Sequence, residues 1–276
     1  AGARDNDIVY WSAPPDGTMQ LPTLHGAARY VLAMFETFHG PVVLEVPAAR
    51  DTTLVCTILD AWQVPVAELG GEGLDRGRGG RFLLLPPTDE GSELPGAIAV
   101  PLRTFSGYLL LRAVPDLSLE LVRELRMYPL DERRAAGEPR LIDMTGKPFD
   151  GLVRFDERFF DELARMVAVE PVPEHEHHHL AALGRLHDAA GTTLADAART
   201  AHELLVRRIG QHGSPVWRGR HWRRFADVEA HHAGEAVARD LVAFRHYAPA
   251  ATAPRSGAWL HAFVDAHGDP LRGGRA

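Results

Sequence analysis

An α+β chain is expected, with antiparallel strands layered as a sandwich or barrel in its first half and helices after them. Two observations carry this expectation. From Tyr30 to about Val114, short apolar runs are broken by Gly and Pro: "RYVLAMFETF", "GPVVLEVP", "TLVCTILDAW", "RFLLLPP", "AIAVPL" and "YLLLRAV". Runs of that length between such breakers read as strands. Beyond Val114 the apolar spacing changes to that of a helix. No helices alternate with the strands, which argues against a parallel nucleotide-binding sheet and for antiparallel layers.

Each element has its own local reason. In "VVLEV", Val42, Leu44 and Val46 fall on one face and Val43 and Glu45 on the other, as a half-buried strand requires. "DLSLELVRELRMYPL" offers Asp116 or Ser118 as N-cap, Leu121, Val122 and Leu125 at helical spacing, and Pro129 as a stop. "DERFFDELARMVAVEP" repeats the form, with Asp156 capping a stripe of Phe159, Phe160, Leu163, Met166 and Val167. Two more helices are expected at about 175–189 and 193–210, the second opening at Thr193 with Asp196 three residues on, a variant of the capping box. The resulting organisation is an antiparallel β domain over 1–115, a helical segment over 116–210, and the opening strands of a second β domain over 211–276.

Composition bounds the function classes. The 276 residues are 45% apolar and 24% charged, the make-up of an ordinary globular protein. No apolar run approaches the roughly 20 residues that a membrane helix needs, and "AGARDNDIVYW" lacks the layout of a signal peptide. A net charge of −7 gives no overall attraction for nucleic acid. Lys147 is the only lysine among 30 Lys and Arg residues and Asn6 the only asparagine, a bias that reads as a GC-rich genome. The lone cysteine, Cys56, excludes an intramolecular disulfide and a cysteine-based zinc site; a buried small apolar role is expected for it.

The most conspicuous motif is "EHEHHHL" (174–180), in which His175, Glu176 and His179 spell H-E-x-x-H. On a helix that spacing presents two imidazoles to one zinc ion with the glutamate beside them as general base. Here it falls on the first turn, straight after the breaker "EPVPE", a frayed place for a rigid site. His187 or Glu203 could supply a third ligand. Adventitious capture by an exposed His tract and a plain solvated helix start are the competing readings, and no metal or other cofactor is assigned.

Three further stretches are weighed in the same way. "GGEGLDRGRGG" (70–80) lacks the register of a dinucleotide loop and leads into a strand, so a flexible hairpin loop is expected rather than a phosphate cradle. "WRGRHWRR" (217–224) interleaves Trp217, His221 and Trp222 with arginines, which suits base stacking or an anionic ligand; an Arg/aromatic packing or interface loop is favoured in an acidic chain. In "LDAWQ" (59–63), Asp60 and Trp62 stand together at a strand end, where carboxylate and indole either line a pocket or form a buried Trp with Asp60 capping the turn. No G-x-S-x-G occurs, so no serine nucleophile is nominated.

Taken together, "DIVYWSAPPDG", "TLHGAARYVLAMFETFHGPVVLEVP", "ILDAWQ", "GLDRGRGGRFLLLPP", "MYPLDE", "RFDERFFDELARMVAVEP", "RGRHW" and "SGAWLHAFVDAHGDPLRGG" resemble a bacterial family of unknown function, the DUF 1254 domain followed by a DUF 1214 domain. The resemblance implies two jelly-roll-like β-sandwich halves joined by helices, in proteins commonly exported or periplasmic, and hands over no catalytic residue. Two departures stand out. "HGA" (25–27) replaces the family's Asn-Pro-Asp or Asn-Asn-Asp, and the long C-terminal β half stops after Arg275.

Two function classes follow. The first and favoured is a noncatalytic jelly-roll module for binding or assembly. The second is an enzyme, hydrolase- or lyase-like, acting on a small or carbohydrate-like substrate, with Asp60 as acid or base and Trp62, Trp222 and Tyr247 as a stacking floor near His221. An unidentified small-molecule ligand is the expected partner, with no nucleic acid. Self-association is expected too, because Trp259, Leu260, Phe263 and Val264 lie on a strand whose β half is short.

Overall fold

The computed structural model describes residues 2–21, 26–71, 73–89, 91–133, 137–174, 177, 180, 191–211, 214–215, 223–224 and 260–261. The chain divides into two compact units, Ala1–Leu152 and Val153–Ala276. Among the described residues the first is a β-rich unit with one short α-helix and a 3-10 turn at Leu130–Glu132; the second carries helices and a small sheet.

Among the described residues, nine strands lie ahead of the first helix: β1 (Ile8–Trp11), β2 (Met19–Gln20), β3 (Arg29–Glu36), β4 (Val42–Val46), β5 (Thr53–Asp60), β6 (Pro65–Gly70), β7 (Gly80–Leu85), β8 (Ala97–Pro101) and β9 (Ser106–Val114). The helix α1 (Leu119–Glu124) and strands β10 (Arg126–Pro129), β11 (Leu141–Asp143) and β12 (Phe149–Asp150) complete the unit. A six-stranded sheet runs β11-β1-β3-β9-β5-β6, a four-stranded sheet β10-β4-β7-β8, and a two-stranded ribbon pairs β12 with β2.

The pairing is not wholly antiparallel, which corrects the expectation. β1 pairs β11, β7 pairs β8, and β12 pairs β2 in parallel. A parallel neighbour needs a crossover of about a dozen residues, and the chain between Leu85 and Ala97 is long enough to provide one. The other two parallel pairs join segments from opposite ends of the unit.

One apolar cluster draws on both large sheets. Val31, Ala33 and Phe35 of β3, Cys56 and Ile58 of β5 and Leu109 and Leu111 of β9 pack with Val42 and Leu44 of β4 and Phe82 and Leu84 of β7. Val42, Leu44 and Val46 share the core side of β4 as expected, but Val43 on its other face is buried as well, so the strand is not half-exposed; Cys56 is buried as expected. The opposite face of the six-stranded sheet is also covered: Val9, Trp11, Tyr30, Leu59 and Leu110 pack against Met19, Met144 and Phe149. That second cover explains why all four residues of β1 are buried, since alternation disappears when both faces are dry.

Only the first half of the expected first helix forms. Ser118 caps it, its Oγ accepting from Leu121 N at 3.1 Å. Residues 126–129 instead form β10 against β4. An unpaired strand edge is costly to leave open, and Pro129 is tolerated there because β10 is an edge strand. The structure therefore places β10, β11 and β12 inside the stretch expected to be helical.

The connection over 70–80 differs from the loose loop expected of it. Asp75 is buried and accepts from Gly70 N at 2.6 Å through Oδ1 and from Gly79 N at 2.9 Å through Oδ2. Gly79 takes φ +67°, and a Cβ there would lie 2.4 Å from Val46 O, so the glycine is required.

In the second unit, α2 (Arg158–Val169) and α3 (Gly191–Gln211) are the long helices. Asp156 Oδ1 accepts from Arg158 N at 3.0 Å at the start of α2. Thr193 lies inside α3 rather than at its cap, and Asp196 pairs with Arg199. Strands β13 (Ser214–Pro215), β14 (Arg223–Arg224) and β15 (Leu260–His261) form an antiparallel three-stranded sheet. Leu260, expected on a strand with an unpaired edge, is registered with Arg224 of β14; Trp259, Phe263 and Val264 lie outside the described residues. Among the described residues no helix is long and apolar enough to cross a membrane.

Candidate functional site

The predicted pair Asp60 and Trp62 sits where β5 turns into β6. β5 ends at Asp60, so Trp62 belongs to the turn and strand alternation does not govern it. Asp60 is 2% exposed. Its Oδ1 accepts from the backbone N–H of Trp62 and of Val64, each at 2.9 Å, and its own N–H donates to Val64 O at 2.9 Å. Gln63 takes a left-handed φ of 63°, and its Oε1 accepts from the Tyr108 hydroxyl on β9. Burial, with the Asp60 carboxylate adding to it, pushes the Tyr108 phenol well up. Thr104 closes the turn from beside it, accepting from Ala61 N at 3.0 Å and donating to Ser106 O at 2.7 Å.

This is a turn whose carboxylate is engaged with backbone donors. Asp60→Asn should therefore lower stability by about 1–2 kcal/mol, because a charged acceptor of two N–H groups becomes a neutral one. Urea unfolding checks it. An unchanged midpoint together with a lost ligand response would instead assign Asp60 to a pocket.

His221, Trp222 and Tyr247, with His175, Glu176, His179 and His187, lie outside the described residues. His177, inside the same tract, is exposed, and its Nε2 lies 3.0 Å from Val172 O. Glu203 is exposed on α3. Its neighbour His202 stacks on Phe155 with centroids 4.4 Å apart, and burial lowers the imidazole pKa while Glu203 raises it. Among the described residues no group of three or more His, Cys, Asp or Glu could hold a metal.

A cleft of about 340 Å³ opens between the start of β1 and the segment around β10. Asp5, Asn6, Asp7, Tyr128, Glu132, Glu138, Arg126 and Arg140 line it. Its cations already have partners within the unit: Arg140 Nη1 lies 2.7 Å from Asp7 Oδ2, and Arg126 Nη1 donates to Gly137 O at 2.9 Å. Tyr128 donates to Glu45 at 2.9 Å, and burial followed by Glu45 raises its phenol.

The second face of the six-stranded sheet carries a different feature. In one cross-strand row, Trp11 on β1 is registered with Tyr30 on β3, and Tyr30 with Arg112 on β9. Arg112 is 9% exposed and Trp11 3%. Arg112 Nε and Nη2 and Trp11 Nε1 are buried with no hydrogen-bond partner. Burial pulls the guanidinium pKa below its ordinary value, against which Tyr30 and Glu68 act. Most buried polar groups are paired, so two side chains with unmatched donors in one cross-strand row stand out. The sequence signal was present: Arg112 is the lone charge in the strand "SGYLLLRAV".

Residues 6–127 match a family described as a protein of unknown function (DUF1254). The matched stretch runs from just before β1 into β10 and contains Trp11, Tyr30, Asp60, Tyr108 and Arg112. A crystal structure of the VPA0106 protein from Vibrio parahaemolyticus is similar at 14% identity and a TM-score of 0.41, covering 68% of this chain and 50% of that one. The chain thus spans half the length of that protein. No curated protein matches it.

Proposed function

We propose that this chain is a noncatalytic binding module for a small molecule, with the guest held on the second face of the six-stranded sheet. The observation that carries this reading is the row of unmatched donors on Arg112 and Trp11. Keeping a guanidinium out of water with donors unpaired costs on the order of several kcal/mol. A guest that supplies acceptors offsets that cost; a purely structural core would be better served by an apolar side chain. The enzyme reading is less well supported, because Asp60, its named acid or base, is buried and its Oδ1 accepts from two backbone N–H groups of its own turn. We read the two large sheets, joined by one core, as the layers of the jelly-roll-like sandwich that the resemblance implies.

A thermal-shift screen of the full chain against sugars, lipids, metal salts and small organic acids tests the proposal. At least one organic class should raise the melting midpoint, since a ligand that prefers the folded state stabilises it. Silence from every class at millimolar concentration, or chemical turnover of a bound compound, would overturn it.

A further inference from the structure

We infer that the guest is a monocarboxylate with an apolar body, its carboxylate clasped by the side edge of Arg112 and reached by the indole N–H of Trp11. This rests on the binding-module reading and names the ligand class of the same face.

The unmatched nitrogens on Arg112 are Nε and Nη2. These two share one edge of the planar guanidinium, and their N–H bonds project side by side from it. That edge matches the two oxygens of a carboxylate as a bidentate pair. Trp11 occupies the same row two strands away, with Tyr30 between. Adjacent strands lie about 4.8 Å apart, so the two side chains start roughly 10 Å apart and both point to the same side. An indole offers a donor and no acceptor. Every unmatched group in the row is therefore a donor, and the complement is an acceptor of negative charge.

The surroundings decide which anion. Leu110, Met19, Met144 and Phe149 belong to the apolar cluster on this face, and the Phe149 ring meets Trp11 edge-on at 5.0 Å between centroids. Glu68 acts electrostatically on Arg112 from β6. A monocarboxylate brings one negative charge to the guanidinium, whereas a phosphate dianion would bring two into an apolar place where Glu68 already acts on Arg112. A carboxylate attached to a hydrocarbon or aromatic body satisfies both the donors and the apolar wall.

Isothermal titration of the full chain with sodium octanoate, set against 1-octanol and inorganic phosphate, tests the inference. Octanoate should bind at a single site and at least about tenfold tighter than either comparator, the expected worth of a charged hydrogen-bonded pair. Arg112→Met should fold, because an apolar side chain of similar size replaces a buried charge without penalty, and should lose octanoate binding by at least about tenfold. Trp11→Phe keeps the ring volume and removes the second donor; it should weaken octanoate severalfold and leave octanol unchanged. Equal binding of octanoate and octanol, or octanoate binding that survives Arg112→Met, overturns the inference. If a neutral sugar or lipid shifts the melting midpoint while octanoate does not, the carboxylate inference fails and the binding-module reading stands. Silence from all of them removes both.

Discussion

Gly107→Ala is expected to destabilise the first unit by about 3 kcal/mol or more, the upper end of the overpacking range. Gly107 lies on β9, the strand held between β3 and β5. A Cβ there would sit 2.4 Å from Leu59 O and 2.5 Å from Phe35 Cζ. The first of these is backbone in a neighbouring strand. The second belongs to a ring that is 1% exposed within the main cluster, so it has nowhere to swing. Relief would have to come from separating β9 from β5, which breaks the ladder at the middle of the sheet. Urea denaturation measures this as a lower midpoint at unchanged slope; a midpoint equal to that of the unmodified chain would mean that the two strands are less tightly joined than the geometry shows.

Asp75→Ala is expected to cost about 3 kcal/mol. The two N–H groups that its carboxylate accepts, from Gly70 and Gly79, belong to the two ends of the β6–β7 connection. Removing the acceptor leaves both donors unpaired, at about 1–3 kcal/mol each. Asp75→Asn keeps an oxygen for one of them and should lose about half as much. The ordering Ala worse than Asn, read from equilibrium unfolding, is the check; equal and small losses would show that water replaces the carboxylate.

These two residues also mark what the sequence made legible and what it did not. The strands themselves were visible because breakers bracket each apolar run, and Ser118 was visible as a cap because its hydroxyl acts only three residues ahead. Asp75 was hidden because its partners are glycine N–H groups, which carry no side-chain signature, so a glycine-rich stretch read as loose. β10 was hidden because "VRELRMYPL" fits helical spacing as far as Leu125, and the edge of β4 that claims Arg126–Pro129 is set by tertiary pairing. Asp60 was found for a sound reason, as a polar residue closing an apolar strand, yet one sequence cannot say whether its carboxylate faces a cavity or its own turn. Arg112 was overlooked because a single charge in a strand normally faces water. Only the second apolar cluster, assembled from residues as distant as Val9 and Phe149, places it indoors.

The parallel pair of β1 with β11 has a kinetic consequence. Ile8 is registered with Leu141, and Met19 with Phe149, so the first strands to be made are paired by the last of the unit. Loop closure over such separations must be paid for before the contacts return anything, and β-rich chains of this kind fold on the order of milliseconds to seconds. The matched stretch 6–127 ends before β11 and β12. A ribosome that has released only that stretch holds a sheet with β1 exposed along one side and the face bearing Trp11 and Arg112 without Met144 and Phe149. The cover over the donor row is thus completed last, and the unit as a whole, not the matched stretch, is the piece that must be kept intact for that face to be closed.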